Sequence, residues 1–218
     1  MIDVIDCGLA DYEKILNLQN SLFLERISQK KQGLSISDEK ILLVEHPHVF
    51  TMGVHADVNN LLVDTSWLDA NGIKCISIKR GGDITYHGPG QIVVYPIIDL
   101  SKRNIGVKGY VNILEQAVIN TIALYGVIGE RVDGATGVWI GKNTPYERKI
   151  CAIGIRCSRY VTMHGLALNV NTDLTYFSRI NPCGFLDKPV TSLSKEVGHN
   201  LDMPLVKKQL TEELLKLL

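Results

Sequence analysis

The stretch Val138–Val170 reads VWIGKNTPYERKICAIGIRCSRYVTMHGLALNV and holds three strand-like runs in succession. Val138–Gly141 is short and apolar, Asn143–Pro145 is a polar turn, and Lys149–Cys157 resumes the apolar pattern. The two runs predict a β-hairpin. Leu166, Leu168 and Val170 then alternate with smaller or polar residues and give a further strand. No helical spacing intervenes, which excludes the strand–helix alternation of a doubly wound parallel sheet.

Upstream, Gln91–Asp99 is apolar on both faces, and Pro96 within it argues for an edge strand or a bulge. Lys40–Glu45 and Val49–Gly53 read as short strands, and Lys74–Lys79 alternates as another. Tyr12, Ile15, Leu16, Gln19, Leu22, Phe23, Arg26 and Ile27 fall on one helical face, with Asp11 as N-cap. Val111, Leu114, Val118, Ile122 and Tyr125 mark a second helix that ends near Gly126, and Val206, Leu210, Leu214 and Leu217 a third. The expectation is an α+β fold of mixed sheets with helices packed on one side, in one domain spanning residues 1–218.

Composition narrows the function. The 218 residues carry 23 basic and 23 acidic side chains, and this balance argues against nucleic acid as partner. Acids at Asp3 and Asp6 stand where a secretion signal needs basic residues. The longest apolar run, Ile92–Ile98, is far too short to cross a membrane. Five widely spaced cysteines, at 7, 75, 151, 157 and 183, read as free thiols in a reducing cytoplasm.

Four segments stand out chemically. RGGDITYHGPGQ (Arg80–Gln91) sets four glycines, an arginine, a tyrosine and a histidine between two strands. It matches neither a phosphate-binding loop nor a dinucleotide fingerprint, and it opens a strand where phosphate recognition needs a helix N-terminus. An elaborate loop is the ordinary explanation; Arg80, Tyr86 and His87 favour a binding loop. TMHGLALN (Thr162–Asn169) repeats the Thr-x-His-Gly pattern of Thr85–Gly88. These two histidines with Cys183 lack the short ligand spacing of common zinc sites; His46 and His48 would share a strand face, yet Pro47 between them reads equally as a turn, so no metal is expected. In INPCGF, Pro182 and Gly184 bracket Cys183, and a turn cysteine is a better nucleophile candidate than Cys75 or Cys151 in apolar strands. A buried structural thiol remains an equal alternative at this point. Lys149 opens a largely apolar strand and by periodicity shares a face with Cys151, Ile153 and Ile155.

RGGDITYHGPGQ, GVWIG, RKICAIGIR, HGLALNVNTDL and INPCG occur in the order, and nearly the spelling, of the lipoyl(octanoyl) transferase family, which the chain resembles from about Glu45 to Gly184. The resemblance implies a fold like that of lipoate–protein ligases and biotin–protein ligase catalytic domains: one larger and one smaller mixed sheet flanked by helices. It implies that Cys183 is the acyl-thioester nucleophile and that Lys149 depresses its pKa. It further implies a substrate pocket lined by Arg80, Gly81, Gly82, Asp83, Ile84, Thr85, Tyr86 and His87, by Ala152, Ile153 and Gly154, and by Gly165, Leu166 and Ala167. The donor would be octanoyl-acyl-carrier protein. The acceptors would be lipoyl domains of 2-oxoacid dehydrogenase complexes and the glycine cleavage H protein. No cofactor would be needed. Two departures from the family are the long turn KNTPYER and Ala135-Thr136 before Gly137. The competing expectations are an ATP-dependent ligase and a non-catalytic acyl-group binder.

Overall fold

The computed structural model describes residues 2–34, 39–181 and 189–218. In chain order its strands and helices are β1 (Ile2–Leu9), α1 (Tyr12–Lys31), β2 (Glu39–Glu45), β3 (Val49–Met52), α2 (Thr65–Asn71), β4 (Lys74–Ser77), β5 (Ile84–His87), β6 (Gln91–Ile97), α3 (Val107–Ala123), β7 (Glu130–Val132), β8 (Ala135–Ile140), β9 (Arg148–Ser158), β10 (Val161–Asn169), α4 (Leu193–Val197) and α5 (Met203–Leu217). Seven strands form one sheet in the order β1-β2-β6-β10-β9-β8-β7, and three form a smaller one, β4-β3-β5. Each sheet has one parallel pair, β1 with β2 and β3 with β4; the other pairings are antiparallel. Parallel neighbours need a crossover, and α1 and α2 lie in those two connections. This is the expected α+β fold with a larger and a smaller mixed sheet.

The period-two rule explains how the large sheet is covered. Ile41, Leu43, Ile92 and Val94 face a core with Tyr110, Leu114, Val118 and Ile122 of α3 and Val206, Leu210 and Leu214 of α5. Their strand neighbours Leu42, Val44, Val93 and Tyr95 face the opposite way, against Ile15 and Phe23 of α1. Helices therefore flank both faces, which corrects the one-sided expectation. Continuous apolar runs in β2 and β6 are what a two-sided burial requires. Helix α1 starts where Asp11 accepts the Lys14 N–H at 3.0 Å.

Pro96 is neither on an edge nor in a bulge. Strand β6 lies between β2 and β10, and Pro96 stays in register with Ile41. The ladder to β10 stops at Val94. Beyond it the Thr162 hydroxyl takes over, donating to the Pro96 carbonyl at 2.8 Å and accepting from the Ile98 N–H at 3.1 Å. A residue without an N–H fits there because a side chain has replaced the ladder.

Strand β1 is absent from the sequence expectations. Its Asp3 and Asp6 are exposed and pair with Lys40 and Lys207, so no clean alternation marks it. Strand β5 lies inside what reads as a glycine loop; it forms by pairing with β3, Val49 to His87 through Met52 to Ile84.

Candidate active site

Between the α1 face of the large sheet and the Arg80–His87 segment lies a cavity of about 490 Å³. Its floor is made of small residues. Ala152 and Gly154 of β9 lie opposite Ala167 and Gly165 of β10, so the two strands present no bulk there. The roof is the chain from Arg80 to Thr85, clamped from both sides. The Gly81 N–H donates to the Ile155 carbonyl at 2.9 Å, and the Val54 N–H to the Arg80 carbonyl at 2.9 Å. A Cβ at Gly154 would stand 2.8 Å from the Gly81 carbonyl oxygen, so glycine is required for this approach. The Arg80 guanidinium is buried and ties the roof to β3. It donates to the Thr51 carbonyl and hydroxyl at 2.7 and 2.9 Å and to the Gly81 carbonyl at 3.1 Å.

Of the residues singled out for the pocket, Arg80 to Thr85, His87, Ala152 to Gly154 and Gly165 to Ala167 all line the cavity. Tyr86 does not. Strand alternation turns its ring into the small sheet's core, where it stacks on Tyr176 at 4.9 Å between centroids. Its hydroxyl bonds His48 Nδ1 at 2.7 Å.

Lys149 also lines the cavity, by a route that periodicity misses. Strand β8 advances one residue, Val138 to Trp139, while β9 advances two, from Cys151 back to Lys149. The extra residue is Ile150, and both Ile150 and Cys151 are fully buried in the α3–α5 core. This β-bulge breaks the alternation, so Lys149 does not follow Cys151 into the core as the strand period expects; it lines the cavity, as Ile153 and Ile155 also do. Its Nζ sits 4.6 Å from the centroid of the Trp139 ring. Its backbone N–H donates to the Pro189 carbonyl at 3.0 Å, and its carbonyl accepts from the Thr191 N–H at 2.9 Å. Cys183 lies outside the described residues. The other four cysteines are free, none lines the cavity, and burial pushes each thiol pKa upward, Cys151 most of all.

Sequence reading missed the polar wall formed by Tyr12, Gln91, Tyr95, His164 and Asn169. Gln91 and Asn169 face each other on β6 and β10. The Asn169 amide donates to the Thr191 carbonyl at 3.0 Å, so its oxygen is the group that accepts from Gln91 Nε2 at 2.9 Å. Gln91 Oε1, 2.7 Å from His87 Nδ1, must then accept, which makes that nitrogen the N–H of a neutral ring. The same logic holds at His46. Its Nδ1 can only donate to the Ala10 carbonyl (2.8 Å), so its Nε2 accepts from the Tyr95 hydroxyl (2.9 Å). Burial pushes the pKa of His46 down to about 4 and those of His87 and His164 to about 3, so all three are neutral at pH 7.

His164 holds a left-handed backbone (φ 60°) inside β10. Its N–H is held by the Gln19 side chain of α1 at 3.1 Å, and its ring lies edge-on to Tyr95. A repeated Thr-x-His-Gly pattern was the signal available in the sequence; the strain was not.

Residues 11–215 match the family described as the lipoyl protein ligase A/B catalytic domain. An octanoyltransferase of Bacteroides fragilis is 51% identical over 210 residues, covering 96% of this chain and 95% of its own. One of Bacteroides thetaiotaomicron is 50% identical over 215 residues, covering 99% and 94%. A bi-partite lipoate protein ligase of Thermoplasma acidophilum superposes with a TM-score of 0.70, covering 99% of this chain and 82% of that one at 16% identity, a likeness of fold.

Proposed function

The chain belongs to the lipoyl protein ligase A/B catalytic-domain family and is an octanoyltransferase of protein lipoylation, and from that premise we propose that it carries the acyl group on Cys183 with Lys149 beside it. The supporting observation is the position of Lys149, which lines an otherwise mostly apolar cavity and is hydrogen-bonded through its backbone to Pro189, six residues after Cys183. The four described cysteines are disfavoured as nucleophiles by their burial.

The chemistry follows from charge. A free thiol of pKa ~8.5 is only about 3% thiolate at neutral pH, and a shift of about two units, ~2.7 kcal/mol, makes it mostly thiolate. The Lys149 ammonium supplies that shift. The thiolate attacks the donor thioester; a new C–S bond forms, the old one breaks, and the departing thiolate takes a proton. Acylation removes the negative partner of Lys149, which can then lose its proton and serve as base for the incoming lysine amine. The amine forms the C–N bond as Cys183 leaves. Thioester exchange is close to balanced and amide formation runs downhill, so no nucleotide is needed. The glycine-lined floor and roof leave room for the alkyl chain.

The donor is octanoyl-acyl-carrier protein, and the acceptors are lipoyl domains, including that of the glycine cleavage H protein. The reaction takes place in the cytoplasm. No helix among the described residues is long and apolar enough to cross a membrane. The test is intact-mass spectrometry after mixing the protein with octanoyl-acyl-carrier protein without nucleotide or acceptor. One octanoyl adduct is expected, removed by hydroxylamine and absent in Cys183→Ser. Strict dependence on ATP, with no adduct, would overturn this reading in favour of a ligase.

A further inference from the structure

Trp139 is 1% exposed, and its ring is fixed by construction. Its indole N–H donates to the Ala135 carbonyl at 2.7 Å, which sets the ring's orientation. The strand that carries it is anchored from behind by the buried Glu115 of α3. That carboxylate accepts the Gly137 N–H at 3.0 Å and the Arg131 Nε–H at 2.9 Å. Gly137 has φ 122°, and a Cβ there would stand 2.4 Å from the Cys151 carbonyl oxygen and 3.5 Å from Lys149 Cε. The β8 backbone thus runs against the bulged stretch of β9 at the point where Lys149 leaves it. The outcome is an ammonium 4.6 Å from the centre of a desolvated indole face, inside the distance at which the ring quadrupole attracts a cation.

We infer that Trp139 is a positioning residue for Lys149, holding it over the cavity as an ammonium and setting the pH at which it gives up its proton in the acyl-enzyme. The inference rests on the proposed role of Lys149. Its sign is definite. The ring face stabilises the cation, so weakening the face lowers the pH at which Lys149 becomes a base. The two halves of the reaction then respond differently. Attack by Cys183 needs Lys149 charged and changes little while it stays so near neutral pH. Aminolysis needs Lys149 neutral, and becomes faster near neutral pH when the indole is made electron-poor.

The experiment replaces Trp139 by mono-, di- and trifluorinated tryptophan, which drain the ring face while keeping its shape. Two quantities are followed: the titration of Lys149 by carbon-13 NMR at its ε-carbon, and the pH dependence of octanoyl transfer from preformed acyl-enzyme to a lipoyl domain. Both midpoints should fall stepwise, by about one pH unit across the series, a tenfold change in proton affinity. Trp139→Phe, which keeps an aromatic face, should fall within the series; thermal melting confirms that each variant folds. An unmoved NMR midpoint would overturn the inference and leave the reading of Lys149 intact. If Lys149→Ala retains the kinetic midpoint, the reading of Lys149 falls, and the inference with it.

Discussion

Acidification to pH 5 should strongly destabilise this protein, because three neutral histidines are buried in it, His87 and His164 lining the cavity and His46 beside it. His46, His87 and His164 are 0%, 6% and 2% exposed, and burial lowers their pKa values to about 4, 3 and 3. In the unfolded chain each titrates near pH ~6.5. A folded pKa below the unfolded one means that the unfolded state binds more protons across the window between them. Stability is therefore full above about pH 7, falls as pH drops through 6, and stops falling only below about pH 3. At pH 5 each histidine withdraws about 2 kcal/mol, so the three together withdraw about 6 kcal/mol. A domain with total stability of roughly 5–15 kcal/mol does not tolerate that easily. Glu39, Asp99 and Glu196 have depressed pKa values, so their contributions are lost only at lower pH, in the same direction. The assay is urea unfolding at pH 8, 7, 6 and 5. Near pH 5 the unfolding free energy should fall by about 4 kcal/mol per pH unit, the slope for three protons taken up. Equal stability at pH 5 and pH 8, within about 1 kcal/mol, would refute the assignment of these rings as obligately neutral.

Gly154→Ala puts a Cβ 2.8 Å from the Gly81 carbonyl and 3.1 Å from Arg80 Cδ, which lifts the cavity roof. KM for the octanoyl donor should rise about tenfold, ~1.4 kcal/mol of binding, with the fold retained on thermal melting. Gly137→Ala meets the Cys151 carbonyl at 2.4 Å from a φ of 122°, and should lower stability by about 1–3 kcal/mol in urea unfolding. Asn169→Ala removes the acceptor of one Gln91 N–H and the donor to the Thr191 carbonyl, both buried. It should cost about 1–3 kcal/mol of stability in urea unfolding.

The sequence by itself determined the regular elements whose burial is two-sided or strictly periodic. Strands β2 and β6 announce themselves as unbroken apolar runs because helices cover both faces of the sheet. Helices α3 and α5 are legible because Leu114, Val118 and Ile122, and Val206, Leu210 and Leu214, repeat at helical spacing. The motifs also located the cavity's glycines and small residues, since close approach of two backbones leaves no alternative at Gly154. What local pattern cannot carry is pairing. ITYH becomes β5 only because β3 is there to receive it. Asp3 and Asp6 hide β1 until Lys40 and Lys207 arrive from elsewhere in the chain. Gln91 and Asn169, 78 residues apart, can hydrogen-bond only once β6 and β10 lie side by side. The direction of Lys149 was decided last and least locally. Periodicity turns it toward the core with Cys151, and one extra residue, Ile150, opposite Val138 and Trp139 turns it into the cavity instead. A bulge exists only between two strands, so no reading of one strand contains it.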